Sequence, residues 1–149
     1  MKPIKTWVLI ADGARARVLE NDGPGRGLVA IERLVFAGDH AATRDLVDDR
    51  EGRTYESNGP GRSAIDARTD PHRELKRTFA HQLADMLARE LGGGAYDRLV
   101  IVAAPVTLGD LRKFLPPSVA AKVTGELHKD LTKTPNGEIA KHLGDALVC

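Results

Sequence analysis

The chain has one cysteine, Cys149, among its 149 residues. A single thiol closes no intrachain disulfide and supplies no cysteine cluster for zinc, so packing must hold the fold and a cytoplasmic setting is expected. Charge of one sign is also lacking: the net charge is +1, which excludes a global basic field for nucleic acid and leaves room only for a local patch. Long apolar runs are missing. The segment WVLIA at residues 7–11 is too short for a signal peptide, and no stretch approaches the roughly 18 apolar residues of a membrane span, so no membrane insertion is expected. No nucleophile elbow, phosphate loop, dinucleotide glycine fingerprint or HExxH motif occurs. His40, His72, His81, His128 and His142 form no pair at metal-ligand spacing, so neither a metal nor a cofactor is expected. What remains is an ordinary globular composition, 42% hydrophobic and 29% charged, of a length that forms one domain over residues 1–149.

Trp7–Ala11 reads as a strand, Asp12-Gly13 as a tight turn, and Ala14–Glu20 as a second strand that places Ala14, Ala16 and Val18 on one face and Arg15, Arg17 and Leu19 on the other. After the turn NDGPGRG, Leu28–Phe36 is expected to be a third antiparallel strand. A short helix is expected over 39–48, with Asp39 as its cap. Asp70-Pro71 with Glu74 is a strong helix start, and Leu75, Phe79, Leu83, Met86, Leu87 and Leu91 recur at helical spacing until Gly92-Gly93-Gly94. Tyr96–Ala104 contains a continuous apolar run, the pattern of a strand buried on both faces. A helix over 107–114, a strand near the end of SVAAKVTGELHKDLTK and a helix over 136–147 complete the chain. The fold class is therefore α/β, a mixed sheet in which a three-stranded antiparallel meander precedes alternating strands and helices. This is the element order of the ribonuclease-H-like architecture.

The most informative stretch is the polar loop at about 49–70, which runs into the start of the long helix. Long polar loops inside small domains are more often functional or disordered than merely connective. Gly59 and Gly61 allow close backbone approach to a ligand, and amides around such glycines form anion-binding nests. Arg62, Ser63, Arg68, His72 and Arg73 would add hydrogen-bond donors and charge for phosphate. The bland alternative is a solvated turn followed by the polar face of a helix. GPGR recurs at residues 23–26 in an expected hairpin loop, so the tetrapeptide alone carries little information. Asp12 stands where a ribonuclease-H-type nuclease places a metal-holding carboxylate, but the apolar strand that should supply another acid ends in Ala103-Ala104-Pro105. Asp12 is better read as a turn residue. Arg15, Arg17, Lys129 and Asp130 are, with Asp12, secondary site candidates; Arg15 and Arg17 are read first as a solvated sheet face or edge-strand protection, and Lys129 and Asp130 either pair with the loop or, the favoured reading, cap a strand end.

Taken together, WVLIADGARARVLE, the GPGRS loop, DPHRELKRTFAHQLADMLARE, YDRLVIVAAPVTLGDLRKFLP and ELHKDLTKTP resemble the host-attachment protein family. That family is described as a bacterial branch related to archaeo-eukaryotic peptide-release factors. The resemblance implies a fold like the release-factor central domain, which carries a Gly-Gly-Gln loop ahead of a long helix. Gly61, Ser63 and Ala64 match that loop, whereas Pro60 replaces a glycine and Arg62 replaces the glutamine that positions water for peptidyl-tRNA hydrolysis. The catalytic constellation is incomplete. What the resemblance implies is an RNA- or ribosome-associated binding module working through residues 59–77. An enzyme acting on an ester-linked RNA or nucleotide, through Asp12, Arg62 and His72, is the second expectation. A protein-interaction factor for attachment to host cells is the third.

Overall fold

The computed structural model describes residues 3–38, 41 and 71–144. The polar loop at 49–70 and, apart from Ala41, the helix expected over 39–48 lie outside the described residues, as do 145–149. Along the described chain come β1 (Thr6–Ala11), β2 (Arg15–Asn21), β3 (Val29–Ala37), α1 (Pro71–Gly92), β4 (Arg98–Ala103), α2 (Pro105–Phe114), α3 (Pro117–Ala120), β5 (Val123–Leu127) and α4 (Asn136–Leu143). The strands form one mixed sheet in the order β3-β2-β1-β4-β5. The expected meander is present: β1 and β3 both pair antiparallel with β2, and β4 lies parallel to both β1 and β5.

The sequence of β1 explains its central place. TWVLIA is apolar at successive positions because both faces of the strand are covered. Successive side chains point to opposite faces, so Trp7 and Leu9 join Leu99 and Ile101 on one side. There they meet Phe79, Leu83 and Leu87 of α1 and Leu108 and Leu111 of α2. Val8 and Ile10 join Val100 and Val102 on the other side, under Leu131 and under Ile139 and Leu143 of α4. β3 is an edge strand with an irregular register opposite Arg17–Leu19, and most of its residues are exposed.

α1 carries Glu74 in its first turn and Arg89 in its last, in keeping with the helix dipole. The turn after it holds Gly94, whose φ of +75° suits glycine and whose N–H reaches the Leu91 carbonyl at 2.9 Å. Leu75, expected on the buried stripe, is 40% exposed. The first turn overhangs the strand ends, where the Lys76 stem packs on Gly13. α1 therefore starts at the carboxyl end of β1, and α2 starts at the carboxyl end of β4, so the two helix N-termini lie at the same edge of the sheet. No helix among the described residues is long and apolar enough to cross a membrane.

Candidate functional site

Ligands of open α/β sheets bind beyond the carboxyl ends of parallel strands, where neighbouring connections diverge. Here that place lies between β1, which turns back into β2, and β4, which continues into α2. The first side chain past β1 is Asp12, which is buried. Its Oδ1 accepts the amides of Ala14 and Arg15, each at 2.7 Å, which makes the Asp-Gly turn an Asx turn. Its Oδ2 accepts the Thr132 hydroxyl at 3.2 Å. The same hydroxyl lies 2.6 Å from Asp130 Oδ1, which also accepts the Thr132 amide at 3.0 Å. Asp12 thus acts as the turn residue the sequence implies, and Asp130 orders the loop beyond β5.

Arg17 holds the same loop from the opposite side. Its Nε donates to Asn136 Oδ1 at 2.7 Å and its Nη1 to the Thr132 carbonyl at 2.8 Å, while Nη2 reaches the carbonyls of Leu131 and Thr134. Burial holds its pKa below the ordinary guanidinium value. The expectation of a solvated or edge position fails for Arg17, because β2 lies between β1 and β3 and the planar fork is used up on backbone oxygens.

Arg73, expected to bind phosphate, directs both terminal nitrogens at the Asp110 carboxylate, each at 2.6 Å. Asp110 is 2% exposed, so this fork neutralises a buried acid. Lys76 lies beside it. A Cβ added at Gly13 would come within 2.6 Å of Lys76 Cγ, which shows how closely the lysine stem crosses the turn. Lys76, Lys129 and Lys133 form no ion pair among the described residues, and Lys129 and Lys133 are exposed. His72 is exposed at the start of α1, and Arg15 is half-buried beside the Asp12 turn. Gly59, Gly61, Arg62, Ser63 and Arg68 lie outside the described residues. His81 stays exposed, with its ring 4.7 Å from that of Phe114 and its Nε2 3.8 Å from Asp85. No three His, Cys, Asp or Glu side chains among the described residues cluster as metal ligands do.

Two parts of this site escaped the sequence reading. Asp110 sits between Leu108 and Leu111 on the buried side of α2, and an acid on an apolar stripe is a signal that a cation must face it. Thr132 had no comparable signal, because its partners are brought together only by the sheet. The lysines differ from the arginines in a way composition does not reveal: Arg17 and Arg73 have structural partners, whereas the lysines remain available.

A search of curated proteins finds no match. A family model described as "Protein required for attachment to host cells" matches residues 7–143, which include every described strand but the first residue of β1 and every described helix. With most of its length inside that match, the chain belongs to this host-attachment family.

Proposed function

We propose that the protein is an RNA- or ribosome-associated binding module whose contact surface lies at the carboxyl ends of β1, β4 and β5. The observation that carries this reading is the set of lysines there. The Lys76 stem crosses the Asp12-Gly13 turn, and the exposed Lys129 and Lys133 flank Thr132, whose hydroxyl meets Asp12; Asp12 is occupied by backbone amides and Asp110 by Arg73, so the lysine charge is not cancelled by pairing among the described residues. Lysines of this kind meet phosphates as point charges and carry no sequence information, as expected of a module that binds backbone rather than bases. The strand order β3-β2-β1-β4-β5 supports a ribonuclease-H-like, release-factor-central-domain-like architecture, and a cytoplasmic setting fits it. Gly59, Gly61, Arg62, Ser63 and Arg68, outside the described residues, stay in the same reading as binding residues expected from the sequence.

Fluorescence anisotropy with a labelled single-stranded oligoribonucleotide, together with ribosome co-sedimentation, tests it. Lys76→Ala with Lys129→Ala should weaken binding and flatten the log–log salt dependence by about 0.7 for each phosphate the variant no longer neutralises. Arg62→Ala with Arg68→Ala should do the same. Salt slopes equal to wild type in both double variants reject the reading.

A second reading, a protein-interaction factor for attachment, is favoured by the family's description and by a groove of about 420 Å³ between edge strand β3 and α1. Phe79, Leu83 and Met86 of α1 line it beside Phe36. A direct pull-down partner lost on Val35→Glu, at an exposed position of the same groove, would support this reading, and retention of every such partner would reject it. Ester hydrolysis gains less support, because both oxygens of Asp12, its candidate acid or base, already accept hydrogen bonds.

A further inference from the structure

The two edges of the sheet are not alike. β5 is five residues long and mostly half-buried. β3 is nine residues long and mostly exposed, with Val29 at 67% and Val35 at 64%. One side of β3 pairs with β2, and no described strand meets the other. An edge strand offers unpaired backbone groups to other chains, and proteins guard such edges with lysine, proline or a short strand. β3 contains neither lysine nor proline, and its Arg33 is drawn onto α1 by Glu90 at 2.6 Å. Its register is irregular before Val35 and regular from Val35 to Ala37, which pair with Arg17, Ala16 and Arg15.

Beside this regular stretch lies the groove of about 420 Å³ between β3 and α1. Two exposed charges of α1, Asp85 and Arg89, stand on it about one helical turn apart. Among the described residues Arg89 forms no ion pair, and Asp85 has only His81 Nε2 at 3.8 Å. These charges complement themselves under a twofold axis. β3 runs parallel to β1, since both pair antiparallel with β2, and α1 runs back from the carboxyl edge. A twofold axis perpendicular to the sheet pairs β3 antiparallel with β3 of a second copy and lays the two α1 helices antiparallel on the same face. With the axis level with Leu87, midway between the charges, Asp85 of each chain stands level with Arg89 of the other. The net charge of +1 puts little repulsion between copies.

We propose that β3 and the facing side of α1 form a homodimer interface, with antiparallel β3 strands at its seam and reciprocal Asp85–Arg89 ion pairs beside it. The strands join two five-stranded sheets into one and satisfy the free edge of each. Val35 is covered at the seam. The inference rests on the groove of the protein-interaction reading and names a second copy as its occupant. The lysines at the carboxyl ends of the strands lie outside the interface.

Sedimentation equilibrium of the full chain tests it. The wild type should show a dimer whose fraction rises with concentration. Asp85→Arg and Arg89→Asp should each raise the dissociation constant at least about tenfold, as for two exposed ion pairs lost together across the axis. Combining the two changes re-forms both pairs with their signs exchanged and should return the constant to within about twofold of wild type. Val35→Glu, at an exposed position, sets like charges together at the seam and should raise it more than about a hundredfold. Circular dichroism and chemical denaturation of each variant should match wild type. A single-chain mass up to about 1 mM overturns the proposal, as does a dimer indifferent to Val35→Glu or a charge exchange that restores nothing. A monomer that loses a directly bound foreign protein on Val35→Glu overturns the dimer and leaves the protein-interaction reading standing. A dimer restored by the charge exchange, with no foreign partner, supports the proposal and ends that reading.

Discussion

The β1–β4 pair ends in two chemically opposite ways. At its amino end the Trp7 and Tyr96 rings lie 4.7 Å apart, the Trp7 Nε1 donates to Glu20 at 2.9 Å, and the Tyr96 hydroxyl donates to the Leu87 carbonyl at 2.7 Å. The Lys5 carbonyl accepts the Asp97 and Arg98 amides, which closes the backbone beside them. That end is sealed by aromatic surface, with the polar atoms of Trp7 and Tyr96 paired. At the carboxyl end the same two strands open onto Asp12, Arg17, Arg73, Asp110 and Thr132, and the sheet is closed by charged side chains reaching across loops. Apolar contact needs only shape, whereas a guanidinium fork needs its partners in fixed places, so the carboxyl end is the more specified of the two. The difference also separates arginine from lysine: the arginines there are held by the fold, and the lysines are left to meet something else.

The largest expected effect tests whether charge holds the carboxyl end. Arg73→Met leaves the Asp110 carboxylate buried without its countercharge and should cost about 3 kcal/mol of unfolding free energy. Adding Asp110→Asn should recover part of that loss, which chemical denaturation of the single and double variants would reveal. A loss under about 0.5 kcal/mol for Arg73→Met, the range of an ordinary surface change, would show that the fork is incidental. Arg17→Met comes next. It removes the donor shared by the Thr132, Leu131 and Thr134 carbonyls and should cost about 2 kcal/mol. It should weaken RNA binding less than Lys76→Ala does, measured at a temperature where both variants are folded. The reverse order would break the division between structural arginines and available lysines.

The sequence made the sheet legible because its strands and α1 follow simple periods. WVLIA and LVIVA are apolar throughout, and the α1 stripe from Phe79 to Leu87 is spaced for one face. Proline and glycine marked the start of α1 and the turn after it. The site was less legible, for a physical reason: its contacts join residues far apart in the chain. Arg17 and Thr132 meet only because β2 and the loop after β5 reach the same side of the sheet, and no local pattern encodes that. Alternation put Arg17 on the correct face with Leu19 but could not tell that the face was covered there. Asp12 was legible as a turn former, since Asp-Gly is a local signal. The short helix α3 was hidden inside SVAAKVTGEL, because four residues are too few to show a period.

The smallest expected effect tests the sealed end. Burial, and then the negative charge of Glu90, pushes the Tyr96 phenol up to about 12. The unfolded chain releases that proton near the ordinary tyrosine value of about 10. A raised pKa in the folded state means that its stabilising contribution is complete below about pH 10 and is lost as pH rises through about 12. Tyr55 is the other tyrosine, so Tyr55→Phe leaves Tyr96 as the only phenol that absorbs on ionisation. In that variant the phenolate absorbance should rise with a midpoint near 12 in the native protein and near 10 in denaturant. Tyr96→Phe should cost about 1 kcal/mol at neutral pH, the worth of one buried hydrogen bond to the Leu87 carbonyl. Between about pH 10 and 12 the gap should narrow, because only the chain with a phenol loses stability to its ionisation. A native midpoint near 10 would mean that water reaches the hydroxyl, and the amino end would then be no more closed than the end where the lysines lie.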